Sequence, residues 1–376
     1  MIPFNRPPSS EAMIRHLTEV AASGHHSGDG PMTRRATAKL AELFPDAAAI
    51  LLTTSCTHAL ELAALVLEVG PGDEVILPSF TFVSTANAFA LRGARVRFAD
   101  IRQDTLCLDP RSVEQLITPK TRAIVPVHYA GIGCDMAELL EQAERVGAHV
   151  VEDNAHGLFA RHAGRPLGTY GSMSTLSFHE TKNVSAGEGG ALVINDPGIV
   201  TAAEIAREKG TNRSQFLRGM VDKYTWVGLG SSWLPSDFTA AVLLAALENA
   251  PATQERRTAI WNAYASGLAD WASAEGVRLP HVPMEDVHPA HIFYLLLPDL
   301  ATRTRFIDHL RADGIQAVFH YVPLGTSPYG AQSSSQVDTC PVSQDVSERL
   351  VRLPLYADLD ESSLHQIVGA VREFRC

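Results

Sequence analysis

Between residues 47 and 153 the chain sets short apolar runs, each ending in polar residues, against stretches of helical period. The runs are AAAILLT (47–53), DEVILP (73–78), RVRFAD (95–100), RAIVPVH (122–128) and HVVED (149–153). Between them lie HALELAALVLEV (58–69), TANAFALRG (85–93), PRSVEQLI (110–117) and DMAELLEQAERVG (135–147). Short strands alternating with helices predict βαβ units and a mostly parallel sheet buried on both faces. Right-handed crossovers then line the strand C-termini along one edge, where ligands of such sheets bind.

The pattern changes after Asp153. STLSF (174–178) and GGALVIN (189–195) predict two strands around a polar loop, and AAEIAREKG (202–210) predicts a helix closed by glycine. Residues 10–45 read as helical with a Gly-rich break, SGHHSGDG, at Ser23–Gly30. Thr211–Ser232 is polar, lacks clear periodicity and is too long for a plain connector; such segments are functional or disordered. A long helix from Ser236 to about Gly267, interrupted near Pro251, leads into a second block. That block carries a strand HIFYLLLP (291–298), a helix TRTRFIDHLRADG (302–314), a strand IQAVFHYVP (315–323) and a terminal helix ESSLHQIVGAVREF (361–374). Ser333–Ser335 reads as a surface loop. A length of 376 residues suits two domains, expected at 1–249 (α/β) and 250–376 (small, α+β).

A formal charge of −11 argues against nucleic acid or an anionic membrane as the main partner, yet leaves room for a local anion site at a helix terminus. The longest apolar stretch, Phe238 to Leu247, is too short to span a bilayer, and MIPFNRPPSSEAM lacks the basic and apolar regions of an export signal. Five scattered cysteines, never in a C-x-x-C pair, suit reduced thiols in a cytoplasm and give no metal framework. The expected protein is cytoplasmic and of enzyme size.

Three elements could carry chemistry. VVEDNAHG (150–157) ends a buried run in two acids, and strand alternation sends Glu152 and Asp153 to opposite sides. One of them faces the ligand crevice, unless it serves as a helix cap. Lys182 follows an apolar strand and precedes the small residues Ser185–Gly190. It is one of only five lysines; Lys39 and Lys120 sit in a helix and a turn, and Lys209 and Lys223 flank the irregular segment. Such a lysine is either a solvated loop residue or an amine with room for a ligand beside it. ILLTTSCTHALELAALVL (50–67) is a strand, a hydroxyl-rich turn and a helix, which gives either an anion site or ordinary N-capping by Thr54, Ser55 or Thr57. Neither a Walker motif nor G-x-G-x-x-G is present. A phosphate cradle, a lysine and a carboxylate at strand ends of one sheet are the parts that pyridoxal 5′-phosphate needs.

PSFTFVSTANA (78–88), VVEDNAHG, LSFHETKN with GEGGALV, and FHYVPL with SERLVRLPLY together resemble the DegT/DnrJ/StrS family of sugar aminotransferases over nearly the whole chain. REKGTNRSQFLRGMVDKYTWVGLGSSWLPSD (207–237) is similar to the branch that makes dTDP-4-amino-4,6-dideoxyhexoses. The resemblance implies a fold-type I pyridoxal-phosphate transferase, with Lys182 carrying the cofactor as a Schiff base and Asp153 pairing with the pyridinium nitrogen. It assigns His156 to the ring's 3′-oxygen and Phe82, otherwise a core residue, to stacking on the ring. Ser55, Cys56, Thr57 and Ser177 fall at the phosphate. Two departures stand out: Gly230-Ser231-Ser232-Trp233-Leu234 replaces a G-Y-N-Y-R segment, leaving Ser232 to substitute for an asparagine, and Gly325 replaces a histidine. Arg213, Lys223 and Tyr224, with Arg218 beside them, are the candidates for the sugar nucleotide; the alternative is a solvated basic loop. His320 and Tyr321 are weaker candidates.

The implied reaction moves the amino group of L-glutamate to a nucleotide-linked 4-keto-6-deoxyhexose, in a homodimer with shared sites and without metal. A 3-aminotransferase and a non-catalytic pyridoxal-phosphate regulator remain alternatives; a sugar 3-dehydratase would replace Lys182 with histidine.

Overall fold

The computed structural model describes residues 1–8, 10–333 and 339–376, and in it the alternating segment forms part of one seven-stranded sheet. The apolar runs supply β1 (Ala49–Thr53), β2 (Glu74–Pro78), β3 (Arg95–Ala99), β4 (Thr121–Ile124) and β5 (His149–Asp153). A minor hairpin, β6 (Arg161–His162) and β7 (Arg165–Pro166), lies outside that sheet. The chain rejoins it with β8 (Met173–Ser177) and β9 (Gly190–Ile194). The order is β1-β9-β8-β5-β4-β2-β3, parallel except for β9, which runs antiparallel to both neighbours.

Both faces are covered, as the unbroken apolar runs require. Leu51, Val75, Leu77, Val151 and Leu192 pack with the helices Cys56–Val66, Val83–Ala90 and Val200–Arg207. Ile50, Leu52, Leu176, Ala191 and Val193 face the other way, onto the helices Pro31–Leu43 and Asp237–Glu248. The strand ends meet along one edge, where Thr53 and Ser177 both pair with Gly190 and Asp153 pairs with Thr175.

The long helix expected from Ser236 is two helices, Asp237–Glu248 and Ala250–Glu275, that meet at Asn249. Pro251 sits in the first turn of the second, where its missing N–H costs nothing, so it opens that helix instead of interrupting it. In the C-terminal block β10 (Asp286–Val287) joins β6, while β11 (Tyr294–Leu296), β12 (Val318–Phe319) and β13 (Leu350–Arg352) form an antiparallel sheet with β13 in the centre. The run IQAVFHYVP yields only two strand residues, because the chain leaves the ladder at His320. Ile260, Tyr264, Phe293, Phe306, Val351 and Ile367 share one core with Ile2, which bridges to Ile315. Ser333 ends the helix Pro328–Ser333, and the expected loop at Ser334 and Ser335 lies outside the described residues.

Among the described residues no helix is long and apolar enough to cross a membrane, and no group of His, Cys, Asp and Glu could hold a metal.

Candidate active site

The two acids at the end of β5 part as strand geometry demands. Glu152 is fully buried and accepts from the backbone N–H of Gly168 at 2.8 Å, Tyr170 at 2.7 Å and Gly171 at 2.8 Å. His128 takes the Cys134 N–H on Nδ1, so it is Nε2–H that donates to Glu152, at 2.9 Å. Glu152 therefore ties a loop to the sheet, with its carboxylate fully engaged.

Asp153 faces the opposite side. It is buried and accepts from Thr85 Oγ1 at 2.7 Å and Ala155 N at 3.2 Å. Burial raises its pKa above the carboxylate norm, while Thr85, Ala155 and Lys182 pull the other way. Thr85 is in the first turn of the helix Val83–Ala90 and takes a second bond from Thr81 Oγ1 at 2.9 Å. The T-F-V-S-T string contained this contact, but only its aromatic stood out in the sequence.

Lys182 lies in the loop between β8 and β9. Burial brings its amine down to about 8; Cys56 and Asp153 oppose that shift and Arg352 adds to it. Each of Lys182 and Asp153 shifts the other's ionisation, Asp153 raising the amine and Lys182 lowering the carboxyl. The loop is anchored on both sides of the lysine. Asn5 Nδ2 donates to the Glu180 carbonyl at 2.9 Å, and Asn183 donates to the Pro289 carbonyl at 2.7 Å and to Gln254 at 3.1 Å. Asn183 Oδ1 then accepts from His291 Nδ1 at 2.8 Å. His291 is a residue that sequence reasoning missed, since its partner lies 108 positions away.

Ser55 caps the helix Cys56–Val66 through the His58 N–H at 3.1 Å, so the expected capping does occur. Thr57 Oγ1 bonds Ser84 Oγ at 2.7 Å. Burial, then Asp153, pushes the Cys56 thiol up to about 12, leaving it a small neutral residue at the helix start. A Cβ on Gly190 would fall 2.4 Å from the Ser55 carbonyl, so only glycine lets β9 pass this close to the helix N-terminus. Ser177 is Gly190's cross-strand partner. The short G-E-G-G string is thus a close-packing device as well as a turn.

An aromatic and histidine wall completes the pocket. Phe82 is 57% exposed and therefore no core residue; its ring centre is 6.4 Å from that of Tyr321. His156 accepts from Ala130 N at 3.3 Å and has His291 at 4.6 Å and His320 at 6.3 Å. His320 Nδ1 bonds the Tyr129 hydroxyl at 3.1 Å. Burial holds His156, His291 and His320 well below the imidazole norm, so all three are neutral at pH 7. Burial likewise raises the Tyr321 hydroxyl. These residues fit an aromatic phosphate ester with a basic ring nitrogen. They offer a buried acid, an amine with a lowered pKa, a helix N-terminus and an exposed aromatic.

The segment 211–232 forms its own surface group. Its helix Arg213–Leu217 is short, and bridges at Thr211–Trp226 and Glu208–Ser232 close it. Arg213 is held by Glu208 at 2.6 Å and Arg218 by Glu204 at 2.6 Å, while Lys223, Tyr224 and Ser232 stand exposed.

Residues 8–372 match the model of the DegT/DnrJ/EryC1/StrS aminotransferase family. The aminotransferase TlmJ from Streptoalloteichus hindustanus is 29% identical, with a TM-score of 0.88 over 99% of this chain and 98% of its own. The PLP-form of Spr1654 from Streptococcus pneumoniae, a putative sugar aminotransferase, is 27% identical with a TM-score of 0.90 over 99% and 97%. DesV from S. venezuelae is 31% identical with a TM-score of 0.86 over 98% of both chains. Fold, pocket and family model agree that this chain belongs to the DegT/DnrJ/EryC1/StrS aminotransferase family.

Proposed function

We propose that the protein transfers the amino group of L-glutamate to the ketone of a nucleotide-linked 4-keto-6-deoxyhexose, with dTDP-4-keto-6-deoxy-D-glucose as acceptor and a 4-amino-4,6-dideoxyhexose nucleotide as product. The observation that carries this reading is a buried carboxylate, Asp153, held by Thr85 at the strand-end edge, together with an amine, Lys182, in the loop after β8 that burial depresses and Asp153 influences. The likeness to sugar aminotransferases and the string 207–237 support the acceptor class.

The cofactor is pyridoxal 5′-phosphate, which when bound supplies the electron sink for proton loss beside the transferred nitrogen. Asp153 would hold a proton on the ring nitrogen, its carboxylate oriented by the Thr85 hydroxyl. Lys182 Nζ would take the α-proton of the donor; an ordinary lysine at 10.5 is too seldom neutral for this, and one at about 8 is neutral about a tenth of the time at pH 7. Ser55, Cys56, Thr57 and Ser177 would hold the phosphate, Phe82 would cover the ring, and neutral His156 would meet its 3′-oxygen. Arg213, Lys223 and Tyr224, with Ser232, contact the sugar nucleotide or a neighbouring subunit's cofactor. Leu217, Met220, Trp226, Val227 and Leu229 are exposed on the same segment, which supports a homodimer built across it.

Incubation with dTDP-4-keto-6-deoxyglucose and glutamate, followed by NMR of the product's ring couplings, tests the reading. An amine at C4 supports it. An amine at C3, or an unchanged sugar despite conversion of glutamate, contradicts it. A monomeric, fully active species in sedimentation would contradict the dimer.

A further inference from the structure

The stretch that joins β10 to β11 is fastened to its surroundings at several points. Asp286 accepts from Gly133 N at 2.8 Å and pairs with His162 Nδ1 at 2.6 Å. Pro289 packs so closely on the turn 129–131 that a Cβ on Gly131 would fall 2.3 Å from its ring. Ala290 holds a left-handed φ of 49°, which a non-glycine residue keeps only where its surroundings fix it. Here buried Arg257 donates Nε to the Ala290 carbonyl at 3.2 Å and Nη2 to the His291 carbonyl at 2.8 Å. What this fastening sets in place is the side chain of His291.

His291 is buried, with Nδ1 at 2.8 Å from Asn183 Oδ1 and its ring centre 4.6 Å from that of His156. The direction of the first contact is fixed by its neighbours. Asn183 Nδ2 faces the Pro289 carbonyl at 2.7 Å, which can only accept, and gives its other hydrogen to Gln254 Oε1 at 3.1 Å. Gln254 Nε2 donates to the same carbonyl at 2.6 Å. Asn183 therefore presents an oxygen to His291, and the neutral imidazole carries its proton on Nδ1. Asn183 directly follows Lys182, whose own N–H bonds the His179 carbonyl at 2.9 Å. A side chain held at three points leaves the backbone at 182–183 little freedom. We propose that His291 is a positioning residue for Lys182: the hydrogen bond from its Nδ1–H to Asn183 ties the C-terminal block to the lysine loop and fixes where the amine stands. This rests on the proposed role of Lys182 and adds to it the residue that holds the amine in place from outside the large sheet.

The test reads the amine itself. In the full-length protein freed of cofactor, acetylation of Lys182 by acetic anhydride is followed against pH by peptide mass spectrometry, which gives the pKa of that one amine. His291→Phe keeps a ring and loses the donor. Because His291 is neutral, the change removes no charge from the groups that act on the amine, chiefly Asp153, Cys56 and Arg352. A rise in its pKa then reports water reaching a loosened side chain. The amine is expected to move from about 8 toward the ordinary 10.5. In the holoenzyme, turnover should fall about 10- to 100-fold while half-saturation by glutamate stays within about threefold. His291→Asn, whose amide nitrogen falls where Nδ1 stood, should restore most of both, and His291→Gln, whose amide reaches too far, should not. If His291→Phe does not fold, the contrast between His291→Asn and His291→Gln replaces it. A low amine that none of these variants changes would overturn the inference alone. Damage in His291→Asn equal to that in His291→Phe or His291→Gln would make ring packing the cause and also overturn it. An ordinary amine in the unsubstituted protein would overturn the role of Lys182 and this inference together. Failure to aminate any sugar nucleotide, with the low amine and its response to His291→Phe intact, would contradict the proposed acceptor and still support the link.

Discussion

Thr85 Oγ1 donates a 2.7 Å hydrogen bond to Asp153 Oδ2, joining the first turn of a helix to the end of β5 across 68 positions of sequence. Because that proton is committed to Asp153, Thr81 must be the donor in the 2.9 Å Thr81–Thr85 bond. Thr85→Val removes the strongest pull on the Asp153 carboxylate and leaves the Thr81 hydroxyl without its acceptor. Burial already raises Asp153, so the loss raises it further and moves the acidic limb of kcat/KM to higher pH. Activity at neutral pH should fall about tenfold or more, and Thr85→Ser should restore it. An unshifted pH profile in Thr85→Val would remove Thr85 from the account.

Neighbouring acids on one strand should give opposite phenotypes. Glu152→Gln places an amide where three backbone N–H groups and His128 all donate. It should cost about 3 kcal/mol or more of stability. Asp153→Asn should leave denaturant unfolding of the cofactor-free protein close to unsubstituted and remove most of the transamination. Reversed phenotypes would mean that the faces of β5 have been misassigned.

Gly190→Ala would set a methyl 2.4 Å from the Ser55 carbonyl and 2.5 Å from Cys56 N. The helix N-terminus must shift, and its N–H groups with it. Cofactor affinity should drop about tenfold, with a smaller effect on donor half-saturation once the enzyme is loaded. Fluorescence titration of the cofactor-free protein reads this directly, and unchanged affinity would move the phosphate elsewhere.

Much of this site was legible in the sequence because its parts sit at strand ends, and strand ends show as breaks in apolar runs. Asp153 and Lys182 stand out as candidates that way, the lysine helped by its scarcity. What stayed hidden depends on contacts between distant positions. Thr85 looks like any helix hydroxyl until β5 is laid beside it, and Asn183 and His291 meet only when the C-terminal block closes on the loop. β13 was missed because three residues following a helix directly carry no period of their own. IQAVFHYVP misled in the opposite sense, being apolar enough for a long strand although half of it serves the pocket wall.

Lys182 also predicts a pH dependence of stability. In the cofactor-free folded protein its amine is at about 8, against an ordinary 10.5. Between those values the unfolded chain binds more protons than the folded one, so stability rises with pH across that window, and the cost is fully present below about pH 8. Lys182→Met should be the more stable protein at neutral pH and should lose that part of the rise. Denaturant unfolding of both proteins on either side of the window checks the sign; identical slopes would contradict a depressed amine.

The most direct test is borohydride reduction of the holoenzyme, which fixes a carbon–nitrogen double bond as a stable amine, followed by peptide mapping. The cofactor is predicted on the peptide containing Lys182, and Lys182→Ala should give no stable adduct. A label on Lys39, Lys120, Lys209 or Lys223, or undiminished labelling of Lys182→Ala, would contradict the site.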